Sequence, residues 1–458
     1  MSDTTPNFTV AKFGGTSVAN FEAMSRCAQI VLDDPAIRLV VVSASAGVTN
    51  LLVRLSCETL SANERESLLQ QIRTIQSAIL GDLDRPEPLE QAIELLLFQL
   101  AEVAFHPDLL ISNKLKDELL SFGERMSSLL FTQVLNNLSS EPKAVSFDVR
   151  KVLKTDSNFT KAQPNLDVTK RQAEVALSPL LAEHIMVTQG FIGQDSFGNT
   201  TTLGRGGSDY SAALLAEATG ADALQIWTDV PGIYTTDPRI AANAKPIEEI
   251  SFDEAAELAT FGAKILHPAT LIPAIRAGVK VFVGSSQHPH EGGTWIAKEV
   301  AHRPAFRAVS LRKDQTLLTV TSPDMLHATG FLARVFAILA KHNLSVDLIT
   351  TSEISVALTI DNPPNTQAGA LTGACIRDLS DFCRVKVESE LSLIAVIGNH
   401  IHSSELNSNG VAHIFNAIGE DKLRMICHGA SQHNVCFLVQ QAGAEALVRQ
   451  VHDHLFAA

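Results

Sequence analysis

The chain has 458 residues, with 36 Lys and Arg against 50 Asp and Glu, a net charge of −14, six cysteines and two tryptophans. At roughly 100–200 residues per domain this length makes two or three domains, each able to bury a core without disulfide staples. The acidity excludes a chain that coats nucleic acid along its length, because phosphate binding needs clustered Lys and Arg to displace counterions. Cys27, Cys57, Cys375, Cys383, Cys427 and Cys436 are scattered, with no C-x-x-C pair or zinc-type grouping, the pattern of reduced thiols in a cytosol. The start lacks a basic, apolar leader, and no apolar run approaches the roughly 18 residues of a spanning helix. The expectation is a soluble, cytoplasmic protein that engages neither membrane nor nucleic acid.

In chain order, Phe8 to Phe13 is a short apolar run ending at Gly14-Gly15, followed by apolar residues at helical spacing (Phe21, Met24, Cys27, Ala28, Val31, Leu32). Ile37 to Val42 is the continuous apolar run of a strand buried on both faces. Glu58 to Leu138 has helical composition and no strand signal, which predicts a helical insertion beside the sheet. Further strands are predicted at Ile185 to Val187, Ala223 to Trp227 and Val279 to Val283, with helices at Gly207 to Ala218 and Phe252 to Thr260. This alternation predicts an α/β domain with a largely parallel sheet between helices. It occupies about residues 1–299, with the insertion at 58–138 and a later lobe at 200–299.

Residues 1–300 carry 24 basic and 36 acidic residues, a net of −12, whereas residues 301–458 carry 12 and 14, a net of −2. The tail also repeats itself. Phe336 matches Phe415, Ser352 matches Ser431 and Val356 matches Val435, each 79 residues apart. The pattern predicts two small α+β modules of the βαββ type.

Three glycine-rich loops carry the chemistry. Lys12-Phe13-Gly14-Gly15-Thr16-Ser17 follows a strand and precedes a helix, so its backbone can approach a phosphate while Lys12 supplies a charge. Alone it is also an ordinary tight turn. Thr202-Leu203-Gly204-Arg205-Gly206-Gly207-Ser208-Asp209 offers backbone donors and a guanidinium fork for a carboxylate or phosphate; Asp209 is either a helix cap or a partner for Lys12. The third loop, Trp227 to Arg239, sets Thr228, Asp229, Tyr234 and Arg239 after a buried strand, the edge at which open α/β sheets bind ligands. Phe261-Gly262-Ala263-Lys264 adds another lysine. A few cations in an acidic domain suit a compact polyanion such as a magnesium nucleotide.

The stretches K-F-G-G-T-S, S-A-S-A-G-V-T-N (Ser43 to Asn50), T-T-L-G-R-G-G-S-D-Y and W-T-D-V-P-G-I-Y-T-T-D-P-R closely resemble the aspartokinase family. Residues 325–327, 330–332 and 345–353 are similar to its lysine-sensitive type III members, and the likeness runs from about Thr9 to Phe456. The resemblance implies an amino acid kinase fold followed by two ACT domains, the first at about 315–392 and the second at 393–458 with a segment from 300–314. It also implies transfer of the ATP γ-phosphoryl group to the side-chain carboxylate of L-aspartate, the first step of lysine, threonine and methionine biosynthesis. Feedback inhibition by L-lysine, Mg²⁺ held by the ATP phosphates, and a homodimer or dimer of dimers through the ACT domains are further implications.

By motif position, Lys12 stabilises the transferring phosphoryl group and Asp209 orients Lys12. Ser43, Thr49, Glu124 and Arg205 bind aspartate, Arg205 on the α-carboxylate and Glu124 on the α-ammonium. From the residues alone, Glu124 reads as an exposed helix position. Lys12, Phe13, Gly14, Gly15, Thr228, Asp229, Tyr234, Arg239, Lys264 and Ile265 hold the nucleotide. Met325, Gly330, Phe331, Leu332, Ser345, Val346, Asp347, Ser352 and Glu353 match the lysine site, and Ala328 departs from the family's serine, which bears on the strength of inhibition. A kinase of another amino acid carboxylate and a non-catalytic amino acid sensor are the competing readings, disfavoured by Lys12, Glu124, Arg205 and Asp209 together.

Overall fold

The computed structural model describes residues 8–141, 143–204, 206–262, 268–326, 329–361, 371–399, 401, 410–420 and 422–456. The chain divides into two compact units: residues 1–233, 246–252 and 264–300, and residues 234–245, 253–263 and 301–458.

In the first unit the strands are β1 (Thr9–Phe13), β2 (Ile37–Val42), β3 (Ala144–Phe147), β4 (Ile185–Gln189), β5 (Ile192–Gln194), β6 (Thr200–Thr202), β7 (Ala223–Thr228), β8 (Glu249–Ser251), β9 (Lys280–Ser285) and β10 (Gly293–Ala297). Eight of them form one sheet in the order β3-β4-β2-β1-β7-β9-β10-β8, parallel except at the β9–β10 pair. The central run Thr-Val-Ala-Lys-Phe of β1 is wholly buried, including Lys12, because neighbours pair with it on both sides. Strand order reverses at β1, with β2 on one side and β7 on the other, so the C-terminal ends of these strands form the switch point at which the ligand crevice of an open α/β sheet lies.

The helices of this unit are α1 (Phe21–Asp33), α2 (Val48–Cys57), α3 (Ala62–Asp82), α4 (Glu87–Ala104), α5 (Asn113–Leu138), α6 (Leu166–Ala176), α7 (Ser178–Leu181), α8 (Gly207–Thr219) and α10 (Pro268–Ala277), with α9 (Phe252–Thr260) crossing from the first unit into the second. The predicted helical stretch from 58 to 138 is α3 to α5. Ser61 starts α3 with a reciprocal capping box to Glu64. Its apolar positions Leu68, Leu69, Ile72, Ile79 and Leu80 join α4 and α5 in a core shared with Phe13, Val40 and Val42. At Gly123 of α5 an added Cβ would lie 2.7 Å from the Ala44 Cβ, so glycine is what lets α5 rest on the end of β2. The next residue is Glu124.

The second unit contains β11 (Ala308–Thr321), α11 (Phe331–Lys341), β12 (Val346–Thr351), β13 (Ser355–Asp361), α12 (Gly373–Ser380), β14 (Arg384–Ile397), α13 (Gly410–Ile418), β15 (Met425–His428), β16 (Asn434–Gln440) and α14 (Ala444–Phe456). Its six strands form one antiparallel sheet, β12-β13-β11-β14-β16-β15. The offset of 79 carries β13 onto β16 from first residue to last. Each module differs from the predicted βαββ unit by a further helix, α12 in the first and α14 in the second. Twelve positions separate Asp361 from Gly373 but four separate Gln440 from Ala444, so the helix starts are 71 residues apart and fall out of the repeat. The long strands β11 and β14 serve both modules. Val320 and Leu318 belong to the core around α11 and α12, and Val309, Ile394 and Val396 to the core under α13 and α14.

Candidate active site

Backbone hydrogen bonds knit the strand ends of the crevice. The Gly14 amide donates to the Trp227 carbonyl at 3.1 Å, Ser43 to Phe13 at 3.1 Å, Gly190 to Val42 at 2.9 Å and Ser286 to Thr228 at 2.8 Å. The loops after β1, β2, β4, β7 and β9 are thereby held side by side. Gly15 has a reason to be glycine: a Cβ there would meet the Ala44 carbonyl oxygen at 3.0 Å. Ser17 shares a 2.7 Å hydrogen bond with Ser286, tying the turn after β1 to that after β9.

Lys12 points its ammonium at Asp209 in an ion pair whose side chains are 8% and 19% exposed. Asp209 reaches Lys12 because α8 starts close to the sheet. Gly206, at φ 72°, is the residue before the helix and contributes no side-chain cap, so Asp209 in the first turn is left to pair with Lys12. Gly190 and Gly207 make the approach possible; a Cβ at Gly190 would lie 2.7 Å from Ser208, and one at Gly207 2.6 Å from the Phe191 ring.

Glu124 corrects the residue-level expectation of an exposed helix position: it is 5% exposed. Burial pushes its carboxyl up to about 8, against the opposing pull of the Ala44 amide hydrogen bond and the Lys12 charge. Ser127, one turn on, donates to the Ser43 carbonyl at 2.7 Å. The structure thus gathers Lys12, Gly14, Gly15, Ser43, Glu124 and Asp209 about the β1 and β2 ends, with Phe13 buried beneath. Thr49 is exposed in the first turn of α2. Thr228 and Asp229 leave β7 at the same edge, hydrogen-bonded to each other at 3.1 Å. Tyr234 and Arg239 lie in the second unit, where Arg239 is paired with Asp237 at 2.6 Å. Arg205, Lys264 and Ile265 lie outside the described residues. Among the described residues no group of three or more His, Cys, Asp or Glu side chains is arranged to hold a metal ion.

Two residues were missed from the sequence. Asp117, in α5, is fully buried and accepts from the Thr160 amide at 2.9 Å, the Thr202 amide at 2.9 Å and the Thr202 hydroxyl at 2.7 Å. It joins α5 to the strand that leads into the Gly204 loop and to Thr160, which holds an unfavourable φ of 72°. Nothing in the local sequence separates it from a surface carboxylate. Phe191, at φ 68°, borders the start of α8, its amide donating to Ser211 at 2.8 Å. A glycine directly after a strand, Gly190, was the available signal.

In the second unit, Met325, Phe331 and Val346 pack against the first module's core, and Gly330 takes φ 87° at the start of α11. Leu332, Ser345, Ser352 and Glu353 are exposed. Ser352 turns the chain between β12 and β13, its hydroxyl accepting from the Ser355 amide. Asp347 faces Arg312 at 3.3 Å, so it already has a cation beside it. Burial pushes its carboxyl up and Arg312 pulls it down. Ala328 lies outside the described residues.

The sequence model of the amino acid kinase family matches residues 7–285, and that of an ACT domain matches 318–368 and 394–455. The chain is 53% identical to the lysine-sensitive aspartokinase 3 of Escherichia coli, over 98% of this chain and 99% of that one. It is 34% identical to an aspartokinase of Chlamydia pneumoniae over 97% of each. The chain belongs to the aspartokinases. Among solved structures, E. coli aspartokinase III with aspartate and ADP in its R-state matches at a TM-score of 0.85 with 52% identity, covering 98% of this chain and all of the other. The same enzyme with lysine and aspartate in its T-state matches at 0.85 and 51%, with the same coverage. The fold is therefore an amino acid kinase domain followed by ACT domains. No helix among the described residues is long and apolar enough to cross a membrane.

Asp117→Ala leaves two amides and a hydroxyl without their acceptor in a dry site, which costs about 2–4 kcal/mol. Urea unfolding is expected to show that loss, and limited proteolysis faster cleavage between residues 156 and 163; unchanged stability and cleavage contradict the assigned contacts.

Proposed function

We propose that this aspartokinase transfers the ATP γ-phosphoryl group to the side-chain carboxylate of L-aspartate, giving 4-phospho-L-aspartate, and that L-lysine inhibits it. The observation that carries the reading is the buried Lys12–Asp209 pair at the switch point of the parallel sheet, with Glu124 beside it. The acceptor carboxylate, with a pKa of about 4, is ionised at neutral pH and needs no general base. The protein's task is to bring two anions together and neutralise charge as the phosphoryl group passes between them.

Lys12 follows the phosphoryl group, with Asp209 fixing its ammonium; Gly14 and Gly15, lacking side chains, let the phosphates come close to the backbone, the Gly14 amide itself being held by the Trp227 carbonyl. Thr228, Asp229, Tyr234, Arg239, Lys264 and Ile265 hold the nucleotide, and magnesium arrives with the ATP phosphates as part of the substrate. Arg205 takes the aspartate α-carboxylate, Glu124 the α-ammonium, and Ser43 and Thr49 line the pocket. Lysine binds the first ACT module, where Glu353 supplies a carboxylate for an ammonium group, and Asp347 does so on exchanging Arg312 for the ligand. The enzyme works in the cytoplasm as a homodimer or dimer of dimers through its ACT domains.

An ATP-dependent hydroxamate assay tests reaction, substrate and effector together. Product is expected with aspartate, far less with glutamate, and less again when lysine is added; activity with glutamate alone, or indifference to lysine, contradicts the proposal.

Glu124 gives a second test. With its carboxyl at about 8, the empty enzyme holds it mainly protonated at neutral pH, and binding an ammonium group expels that proton. KM for aspartate is expected to fall as pH rises from about 6 to about 8, approaching tenfold per unit at the steepest. Glu124→Gln is expected to flatten the slope; a flat profile in the unaltered enzyme contradicts the assignment.

A further inference from the structure

The segment from Tyr234 to Lys245 lies inside the span matched by the amino acid kinase family but packs within the second unit. It is a closed loop: the Thr235 amide donates to the Lys245 carbonyl at 2.9 Å, and the Lys245 amide donates to the Thr235 hydroxyl at 3.0 Å. One face of α14 holds it at three points. The Thr235 hydroxyl and His452 Nε2 share a hydrogen bond of 2.9 Å, Arg449 Nε donates to the Ile240 carbonyl at 2.9 Å, and Asn243 donates to Asp453 Oδ1 at 2.8 Å. Positions 449, 452 and 453 are spaced i, i+3, i+4, so they share a helix face. A fourth bond, from the Val309 amide to the Thr235 carbonyl at 2.8 Å, fixes the loop to β11.

His452 is the buried member, 1% exposed, its ring stacked on Phe456 at 4.8 Å. Burial pulls the imidazole below its ordinary value, opposed by Asp453, whose Oδ1 is 3.8 Å from Nδ1, and assisted by Lys245. The core of the second module is already served by Leu447, Val448 and Val451 of α14. Among these apolar neighbours the imidazole is a polar group in a dry site, and its bond to Thr235 is what offsets the cost of burying it.

We infer that the terminal helix of the second regulatory module positions the nucleotide-binding segment, with His452 as the positioning residue acting through Thr235. The inference rests on the assignment of Tyr234 and Arg239 to the nucleotide. Through this contact α14 sets the position of the loop that carries Tyr234 and Arg239.

The test uses the full-length enzyme and three variants. His452→Leu is expected to raise KM for ATP about five- to tenfold, the worth of one buried hydrogen bond, with KM for aspartate within about twofold. Thr235→Val is expected to give the same selective rise, and His452→Gln, which keeps a polar nitrogen, to restore most of it. Hydrogen exchange across residues 234–245 is expected to quicken in the first two. Unchanged KM for ATP, or an equal rise in both KM values, overturns the inference, whether read from His452→Leu or, should that variant fail to fold, from Thr235→Val. Arg239→Ala separates the two levels. A raised KM for ATP there, with none in the His452 and Thr235 variants, leaves the nucleotide assignment standing and removes the positioning role; no rise in Arg239→Ala removes the nucleotide assignment itself.

Discussion

The ion pair between Lys12 and Asp209 is the constraint around which the first unit is built. A lysine in the central strand of a parallel sheet, with strands paired on both sides, surrenders most of its hydration, and an ammonium so placed is tolerated only beside a carboxylate. The carboxylate comes from a helix that reaches the sheet only because Gly190 and Gly207 lack side chains and Gly206 takes a left-handed conformation. Among the described residues the arrangement leaves the Lys12 ammonium oriented by Asp209 at the C-terminal end of β1, beside the Gly14-Gly15 turn. Preorganised charge of this kind is what the proposed phosphoryl transfer needs, because it requires no reorganisation during the reaction.

Glu124 completes the electrostatics from the opposite direction. Gly123 brings α5 against Ala44, and the carboxyl that follows is buried far enough to hold its proton in the empty protein. In the proposed function an incoming ammonium group takes the place of that proton. The site holds a paired cation and a carboxyl whose ionisation burial opposes, and the proposed ligand, a zwitterionic amino acid whose side chain is left free to react, suits both.

The elements with continuous apolar runs were legible: β1, β2, β4, β7 and β9 are buried on both faces, and no other local structure explains such runs. The strands not seen were the short or marginal ones. β3 is an edge strand with Val145 exposed, β8 has three residues, and β10 has five, its Trp295 lying in a tilted contact with Phe282 of β9. The repeat in the tail was visible while its spacing held and was lost where eight residues drop out before α14. Glycine-rich loops marked the strand ends where elements approach closely, as at Gly15, Gly190 and Gly207, because such approach demands glycine. Burial of Glu124, the role of Asp117 and the sharing of Arg312 with Asp347 left no local trace, since each depends on what the fold lays against that residue.

Lys12 is the residue on which phosphoryl transfer most directly depends in the proposed function, and the measurement is the turnover of Lys12→Met under saturating ATP and aspartate. If the lysine supplies charge to the transferring phosphoryl group, kcat falls by roughly 10²–10³-fold while circular dichroism and substrate KM values stay near those of the unaltered enzyme. A kcat within about threefold of the unaltered enzyme would mean that the buried pair is only structural, and would contradict the account.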